Sequence, residues 1–327
     1  MSNELVLVTG GSGFLGAHCI NALLAQGYRV RTTVRDPHKS NGIPAGVQIF
    51  AAELTSDTGW VQAVSGCDFV LHTASPFPLV APEHEDDLIL PAREGTLRVL
   101  RVAHAEGVKR VVLTSSFAAI GYGNDPHPGL FTEADWSNPA AEIGAYPKSK
   151  TLAERAAWDY VAGAGAGMEL ATVNPVVIIG PVLSPRLSTS IQLVQRIVSG
   201  RMPGLPKVSM SLVDVRDVAD LHLLAMQNPQ AAGQRFLATA GAAMSLQEMA
   251  RILRNRLGTK VPRLSLPDWL IRLAARRMPE LGDLSSRLGV IKQPSSAKAI
   301  DELGWSPRPV SDSLVETVLS LKKFDLL

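Results

Sequence analysis

Cysteine is scarce in this chain, with only Cys19 and Cys67 among 327 residues. A disulfide framework is therefore not expected, and a reduced, cytoplasmic setting fits better. Charge of one sign is also missing: Lys+Arg 32 against Asp+Glu 30 leaves a formal net charge of +2. A protein that grips phosphate backbones needs clustered excess base, so no nucleic-acid partner is expected. Long apolar runs are absent too. The longest, around Leu170 to Leu183, is broken by Asn174, Pro175, Gly180 and Pro181, whereas a bilayer span takes about 20 mostly apolar residues. The start, Met1-Ser2-Asn3-Glu4, has no basic region and apolar core of a signal peptide. No His/Cys/Asp cluster has metal-ligand spacing, and no repeat, heptad or low-complexity tract occurs. A soluble protein without a membrane partner or a metal is the expectation.

What is present is alternation. Short β-branched runs at Leu5–Thr9, Arg29–Val34, Val47–Ala51, Phe69–Thr73, Arg110–Ser115 and Glu169–Val173 each precede a loop or helix. That pattern predicts an α/β fold, a Rossmann-type doubly wound parallel sheet covered by helices on both faces. Beyond Pro175 the regularity fades into two proline-punctuated stretches, which predict a smaller, discontinuous, mostly helical substrate lobe. The expected boundaries are 1–181 with 207–239 for the dinucleotide-binding domain, and 182–206 with 240–327 for the lobe. Helices return at Val215–Gln227, with Asp214 available as a cap, and at Leu246–Leu257, where Ser245 and Glu248 form a capping box. Loops at Pro76–Pro82 and Gly121–Pro139 follow strands four and five, where an open parallel sheet places its ligands.

Thr9-Gly10-Gly11-Ser12-Gly13-Phe14-Leu15-Gly16 leaves an apolar strand and opens a helix. Glycines let the chain turn tightly and bring backbone amides to a pyrophosphate, and the helix N-terminus favours the anion. Gly10, Gly13, Phe14, Leu15 and Gly16 are thus candidate cofactor contacts. At the end of the second strand, where NAD-binding chains carry a carboxylate, stands Val34, and Arg35 follows. A guanidinium can pair bidentately with a 2′-phosphate, which favours NADP(H). Asp36 offers Arg35 another partner. Lys39 is either a second phosphate contact or a solvated lysine.

Ala145-Tyr146-Pro147-Lys148-Ser149-Lys150 spaces a tyrosine and a lysine by one helical turn. Pro147 is tolerated only in a first turn, so a helix starts beside Tyr146 and Lys150 shares its face. Alone, that spacing recurs by chance in many helices. A nearby ammonium and an oxidised nicotinamide would lower the phenol's pKa from about 10, as a general acid/base near neutral pH requires. Lys148 should point away from this face and be solvated. Strand five ends in Thr114-Ser115-Ser116, where a hydroxyl could meet a substrate carbonyl or merely satisfy turn backbone. His18, His72 and His222 fall in regular segments and read as packed or capped, and the five tryptophans read as packing residues.

Taken together, the Gly10–Gly16 turn, Val34-Arg35-Asp36-Pro37, His72-Thr73-Ala74-Ser75-Pro76, Thr114-Ser115-Ser116, Tyr146 to Lys150 with Leu152-Ala153-Glu154, and Asn174-Pro175 through Gly180-Pro181 resemble one group. It is the dihydroflavonol reductase and cinnamoyl-CoA reductase group of extended short-chain dehydrogenases/reductases. Leu303-Gly304-Trp305-Ser306-Pro307 looks like the closing motif of extended members, so the resemblance covers nearly the whole chain. It implies Ser116, Tyr146 and Lys150 as the catalytic trio, with Tyr146 the proton donor and Lys150 also on the nicotinamide ribose. It implies cofactor contacts from Thr73, Ala74, Ser75, Thr114, Pro175, Val176, Val177 and Ser190.

Two departures count. Glu53-Leu54 stands where many relatives place Asp-Leu against the adenine. Ile143-Gly144-Ala145-Tyr146 replaces the Asn-Trp-Tyr-Cys-Tyr pattern of cinnamoyl-CoA reductases, which disfavours a CoA thioester. The implied activity is NADPH-dependent reduction of a small-molecule aldehyde or ketone by a monomer or homodimer, and the apolar, proline-rich stretches Pro181–Pro206 and Val261–Pro294 point to a bulky, apolar substrate. Its rivals are a nucleotide-sugar epimerase or dehydratase that retains NAD, and a non-catalytic dinucleotide sensor.

Overall fold

The computed structural model describes residues 3–39, 42–76, 82–200, 202, 204–277 and 288–327. Its strands are β1 (Leu5–Thr9), β2 (Arg29–Val34), β3 (Gln48–Ala51), β4 (Phe69–His72), β5 (Arg110–Thr114), β6 (Glu169–Pro175), β7 (Val177–Ile179), β8 (Ser209–Met210), β9 (Leu212–Asp214), β10 (Arg235–Ala238) and β11 (Met244–Ser245). β1 buries all five residues, as a strand covered on both faces must. It lies inside a seven-stranded sheet of order β10-β6-β5-β4-β1-β2-β3, whose strands all pair in parallel. The order reverses beside β1, and ligands of such sheets bind at that crevice.

Helices fill the crossovers: α1 (Phe14–Ala25), α2 (Trp60–Val64), α3 (Asp86–Ala105), α4 (Ala145–Ala162), α5 (Thr189–Val198), α6 (Val215–Gln227), α7 (Leu246–Leu257) and α8 (Asp268–Ala275), then Ala297–Leu303 and Val310–Lys323. On one face of the sheet Leu5, Leu7, Val70, Val111 and Leu113 pack with Trp60, Val99, Leu100 and Ala157 from α2, α3 and α4. These are alternate strand residues, which the pleat sends to one side. Val6 and Val8 between them are equally buried, where α1 and α6 pack together.

The chain forms two compact units. The first holds 1–176, 215–238 and 295–306; the second holds 177–214, 239–294 and 307–327. These limits depart from the expected ones in four places, the smallest being Thr239, which goes with the second unit. The break comes after Val176, where the chain leaves the main sheet and β7 pairs with β9 instead. Residues 207–214 go with the second unit for the same reason. Residues 295–306 join the first, because Ser295 N donates to Phe131 O at 2.9 Å and the buried Trp305 indole donates to Asp217 O at 2.8 Å. The sheet also has a seventh strand, β10, beyond the six read from the sequence.

In the second unit Ile179, Val194, Ile197, Leu212, Leu246, Leu253 and Leu314 form a core. Ser245 and Glu248 close the capping box of α7. Trp269 on α8 is 66% exposed, against the packing role expected of it. Pro203 and Pro279 lie outside the described residues, as do 77–81 of the loop after β4.

Candidate active site

The glycine turn is built by close approach. Gly10 takes φ 71, and the amides of Gly10 and Gly11 donate to Thr33 O at 3.0 and 3.2 Å. A Cβ on Gly11 would lie 2.0 Å from Thr32 Oγ1, and one on Gly16 2.5 Å from Gly10 O, whereas one on Gly13 would meet only Gly10 O at 3.1 Å. Gly13 caps α1 with no side-chain acceptor, and no acidic residue stands in the first turn. Phe14 and Leu15 follow as the first residues of that helix, with Leu15 buried. The helix end thus offers its amides to an anion. Thr73 and Ala74 close the other side: Thr73 Oγ1 donates to Thr9 O at 2.6 Å and Ala74 N to Thr9 Oγ1 at 3.0 Å. The cradle suits a dinucleotide pyrophosphate.

Arg35 stands exposed just past β2 and makes no ion pair among the described residues. Asp36 Oδ1 accepts from His38 N at 3.0 Å. Lys39 ends the short turn Pro37–Lys39, and its side chain is outside the described residues. Beyond β3, Glu53 is exposed while its carbonyl accepts from Trp60 Nε1 at 3.0 Å. Leu54 packs against Gly95 of α3, where a Cβ would meet it at 2.7 Å.

Ser116, extended at φ −164, follows β5, and its Oγ accepts from Ala118 N at 3.1 Å. Tyr146 is the second residue of α4 and Pro147 the third, so the proline sits in the first turn where its missing N–H costs nothing. The Ser116 hydroxyl lies near enough to Tyr146 to favour the phenolate. Burial raises the phenol's pKa above 10, against the pull of Ser116. Lys150, one turn on, is 8% exposed and donates from Nζ to Ser75 Oγ at 3.0 Å. Burial brings its pKa down to about 8, with Glu154 acting to raise it.

The structure thus brings Ser116, Tyr146, Lys150 and Ser75 together beyond β4 and β5. Thr114 is placed otherwise: its Oγ1 meets His222 Nε2 at 2.7 Å, and His222 Nδ1 donates to Val218 O at 2.7 Å. Burial holds His222 neutral, its pKa about 4, and His72 likewise at about 3. Lys148 departs from the solvated role expected of it, pairing with Glu85 Oε2 at 2.7 Å. Pro175 and Val176 end the first unit, Pro175 as the last residue of β6. Val177 and Ser190 lie in the second, where Ser190 Oγ donates to Ile178 O at 2.5 Å.

Sequence reasoning missed Glu154 as more than a motif letter. It is fully buried and accepts from Ser115 Oγ, Asn174 Nδ2 at 2.7 Å, Thr172 Oγ1 at 3.1 Å, Trp158 Nε1 at 3.3 Å and Arg235 Nε at 2.7 Å. The available signal was its spacing, one turn past Lys150 on the same helix face. Among the described residues no cluster could hold a metal ion, and no helix is long and apolar enough to cross a membrane.

Comparison with known proteins gives a consistent set. The pattern described as the NAD dependent epimerase/dehydratase family matches residues 6–238. Cinnamoyl-CoA reductase CAD2 of Medicago truncatula is 36% identical, over 98% of this chain and 96% of that protein. An anthocyanidin reductase ((2S)-flavan-3-ol-forming) of Vitis vinifera is 33% identical over 78% of this chain and 82% of its own. Among solved structures, yeast methylglyoxal/isovaleraldehyde reductase Gre2, complexed with NADPH, superposes with a TM-score of 0.82. It is 26% identical, covering 99% of this chain and all of that one.

Proposed function

The chain belongs to the NAD dependent epimerase/dehydratase family, among relatives that are reductases, and from that premise we propose that it reduces an aldehyde or ketone to an alcohol with NADPH. The observation that carries this reading is the convergence of Ser116 and Tyr146 beyond β5, with Lys150 one turn along α4 and its Nζ on Ser75 Oγ at 3.0 Å. NADPH, when bound, supplies the hydride. Its pyrophosphate suits the amides at the start of α1, and its 2′-phosphate suits the exposed guanidinium of Arg35.

Ser116 and Tyr146 offer two hydroxyls to one carbonyl oxygen, stabilising the negative charge that grows there as the carbon is reduced. Tyr146 then gives its phenolic proton to that oxygen. Lys150, as an ammonium, stabilises the phenolate left behind. A phenol raised in pKa remains a proton donor across the neutral range, which is the protonation state reduction needs.

A family member that interconverts nucleotide sugars would keep NAD through its cycle, and a dehydratase would carry acidic residues where Ser115 and Ser116 stand. The test is to assay the purified full chain for oxidation of NADPH and NADH against aldehydes, ketones, diketones and CoA thioesters, and to extract any nucleotide that copurifies. Net consumption of NADPH with an aldehyde or ketone is expected. Retained NAD without net oxidation would overturn the reading, and turnover confined to CoA thioesters would overturn its substrate class.

A further inference from the structure

The same carboxylate that sequence reasoning passed over sits at the centre of the site's support. Glu154 Oε2 accepts from Ser115 Oγ and from Asn174 Nδ2 at 2.7 Å. That Asn174 amide also reaches Ser116 O at 3.3 Å, so the carboxylate is one amide removed from the backbone of the serine that meets Tyr146. On its other side, Oε1 takes Arg235 Nε at 2.7 Å. Arg235 is itself anchored: its Nη1 donates to Asp135 O at 2.8 Å and to Glu133 O at 2.5 Å, and its guanidinium lies 3.8 Å from the centre of the Trp136 ring.

A carboxylate taken wholly out of water is retained only where donors and counter-charge answer it. Here α4, the residue after β5, β6 and β10 each supply a donor: Trp158, Ser115, Thr172 with Asn174, and Arg235. The sequence places these donors up to 81 residues away from Glu154. A cavity of about 10 Å³ is lined by Ser75, Ala92, Thr96, Leu113, Thr114, Ser115, Lys150 and Glu154, so Lys150 and Glu154 face the same small space. Among the described residues, the other groups facing Lys150 there carry no opposing charge. β4 presents His72, held neutral, α3 presents Ala92 and Thr96, and β5 presents Leu113 and Thr114, with Ser115 just beyond it. Tyr146, on the same helix, is protonated.

We propose that Glu154, backed by Arg235, is a positioning residue for this reaction: through Ser115 and Asn174 it fixes the end of β5 that carries Ser116, and it supplies the counter-charge to Lys150. The inference rests on the assignment of Ser116, Tyr146 and Lys150 under Proposed function and adds the element that holds them. Removing the charge leaves the ammonium of Lys150 buried without a carboxylate, which favours its neutral form. The alkaline limb of activity must then move to lower pH.

The test compares kcat and its pH profile, with NADPH and the preferred carbonyl substrate, for the wild type, Glu154→Gln, Glu154→Asp and Ser115→Ala. Glu154→Gln should lose about 10-fold in kcat and shift the alkaline midpoint down by about one pH unit, while the KM for NADPH stays within about two-fold. Glu154→Asp, which keeps the charge, should keep the wild-type midpoint whatever its kcat. Ser115→Ala removes one strut and no charge, so kcat should fall several-fold with the midpoint unmoved. It also serves should Glu154→Gln fail to fold.

A wild-type midpoint and kcat in Glu154→Gln, a midpoint lowered equally in Glu154→Asp, or an unchanged kcat in Ser115→Ala would each overturn the proposal. Tyr146→Phe separates this outcome from failure of the underlying reading. An active Tyr146→Phe enzyme sinks the assignment of the trio, whereas an inactive one beside an unaltered Glu154→Gln enzyme sinks the role of Glu154 alone.

Discussion

Lys150→Met should make the protein more stable while making it inactive. Lys150 is 8% exposed and its pKa is brought from 10.5 to about 8 by burial. At about 1.4 kcal/mol per pKa unit, that fall corresponds to a penalty of about 3 kcal/mol for holding the ammonium inside at neutral pH. Its hydrogen bond to Ser75 Oγ returns about 1 kcal/mol, so an apolar chain of similar length should gain about 2 kcal/mol net. The sign with pH follows from the protons bound. Between about pH 8 and 10.5 the unfolded chain holds the lysine proton and the folded one does not, so wild-type stability rises with pH through that window. The advantage of Lys150→Met must therefore be full at pH 7 and shrink toward pH 10. Thermal unfolding without dinucleotide, at pH 7 and pH 9.5, measures it: a Tm higher by several degrees at pH 7 and a smaller gain at pH 9.5. A lower Tm at pH 7, or a gain indifferent to pH, would refute the view that burial of the charge dominates here.

Other consequences are as direct. Arg35→Ala should raise the KM for NADPH about 10-fold or more and leave that for NADH nearly unchanged, since the exposed guanidinium's proposed partner is the 2′-phosphate; steady-state kinetics with both cofactors decides it. Gly13→Ala should fold, because its Cβ would meet only Gly10 O at 3.1 Å, yet bind NADPH more weakly by fluorescence titration, because the methyl fills the cradle. Gly16→Ala places its Cβ 2.5 Å from the same oxygen and 3.0 Å from Thr73 Oγ1, and should lower the Tm as well as the affinity.

Much of the fold was legible because local chemistry and tertiary structure agree. β1 and β2 have the limits their apolar runs suggest, since the Gly10 turn follows β1 and the tight turn at Gly27 precedes β2. α4 begins beside Tyr146 because Pro147 admits no other register, and α7 begins after Ser245 because its capping box needs only residues three apart.

What stayed hidden depends on partners distant in sequence. β10 is four residues long and begins with Arg235, which reads as a surface charge until Glu154 is seen to meet it. Lys148 read as solvated because Glu85, its partner, is 63 residues away. Residues 295–306 join the first unit through Trp305, whose acceptor, Asp217 O, is 88 residues distant. The two-residue strands β8 and β11 carry too little pattern to be read at all. At the site, spacing pointed to Tyr146 and Lys150, but the donors to Glu154 come from Ser115, Thr172, Asn174 and Arg235, which spacing along one helix does not reveal.

The central claim is that Tyr146 protonates the oxygen of a carbonyl compound reduced by NADPH. Its most direct test is the kcat of Tyr146→Phe against the wild type with the same carbonyl substrate, alongside NADPH affinity by fluorescence titration. Loss of the proton donor should lower kcat by about 10² to 10⁴-fold with NADPH affinity retained. Turnover within a few-fold of the wild type would contradict the account.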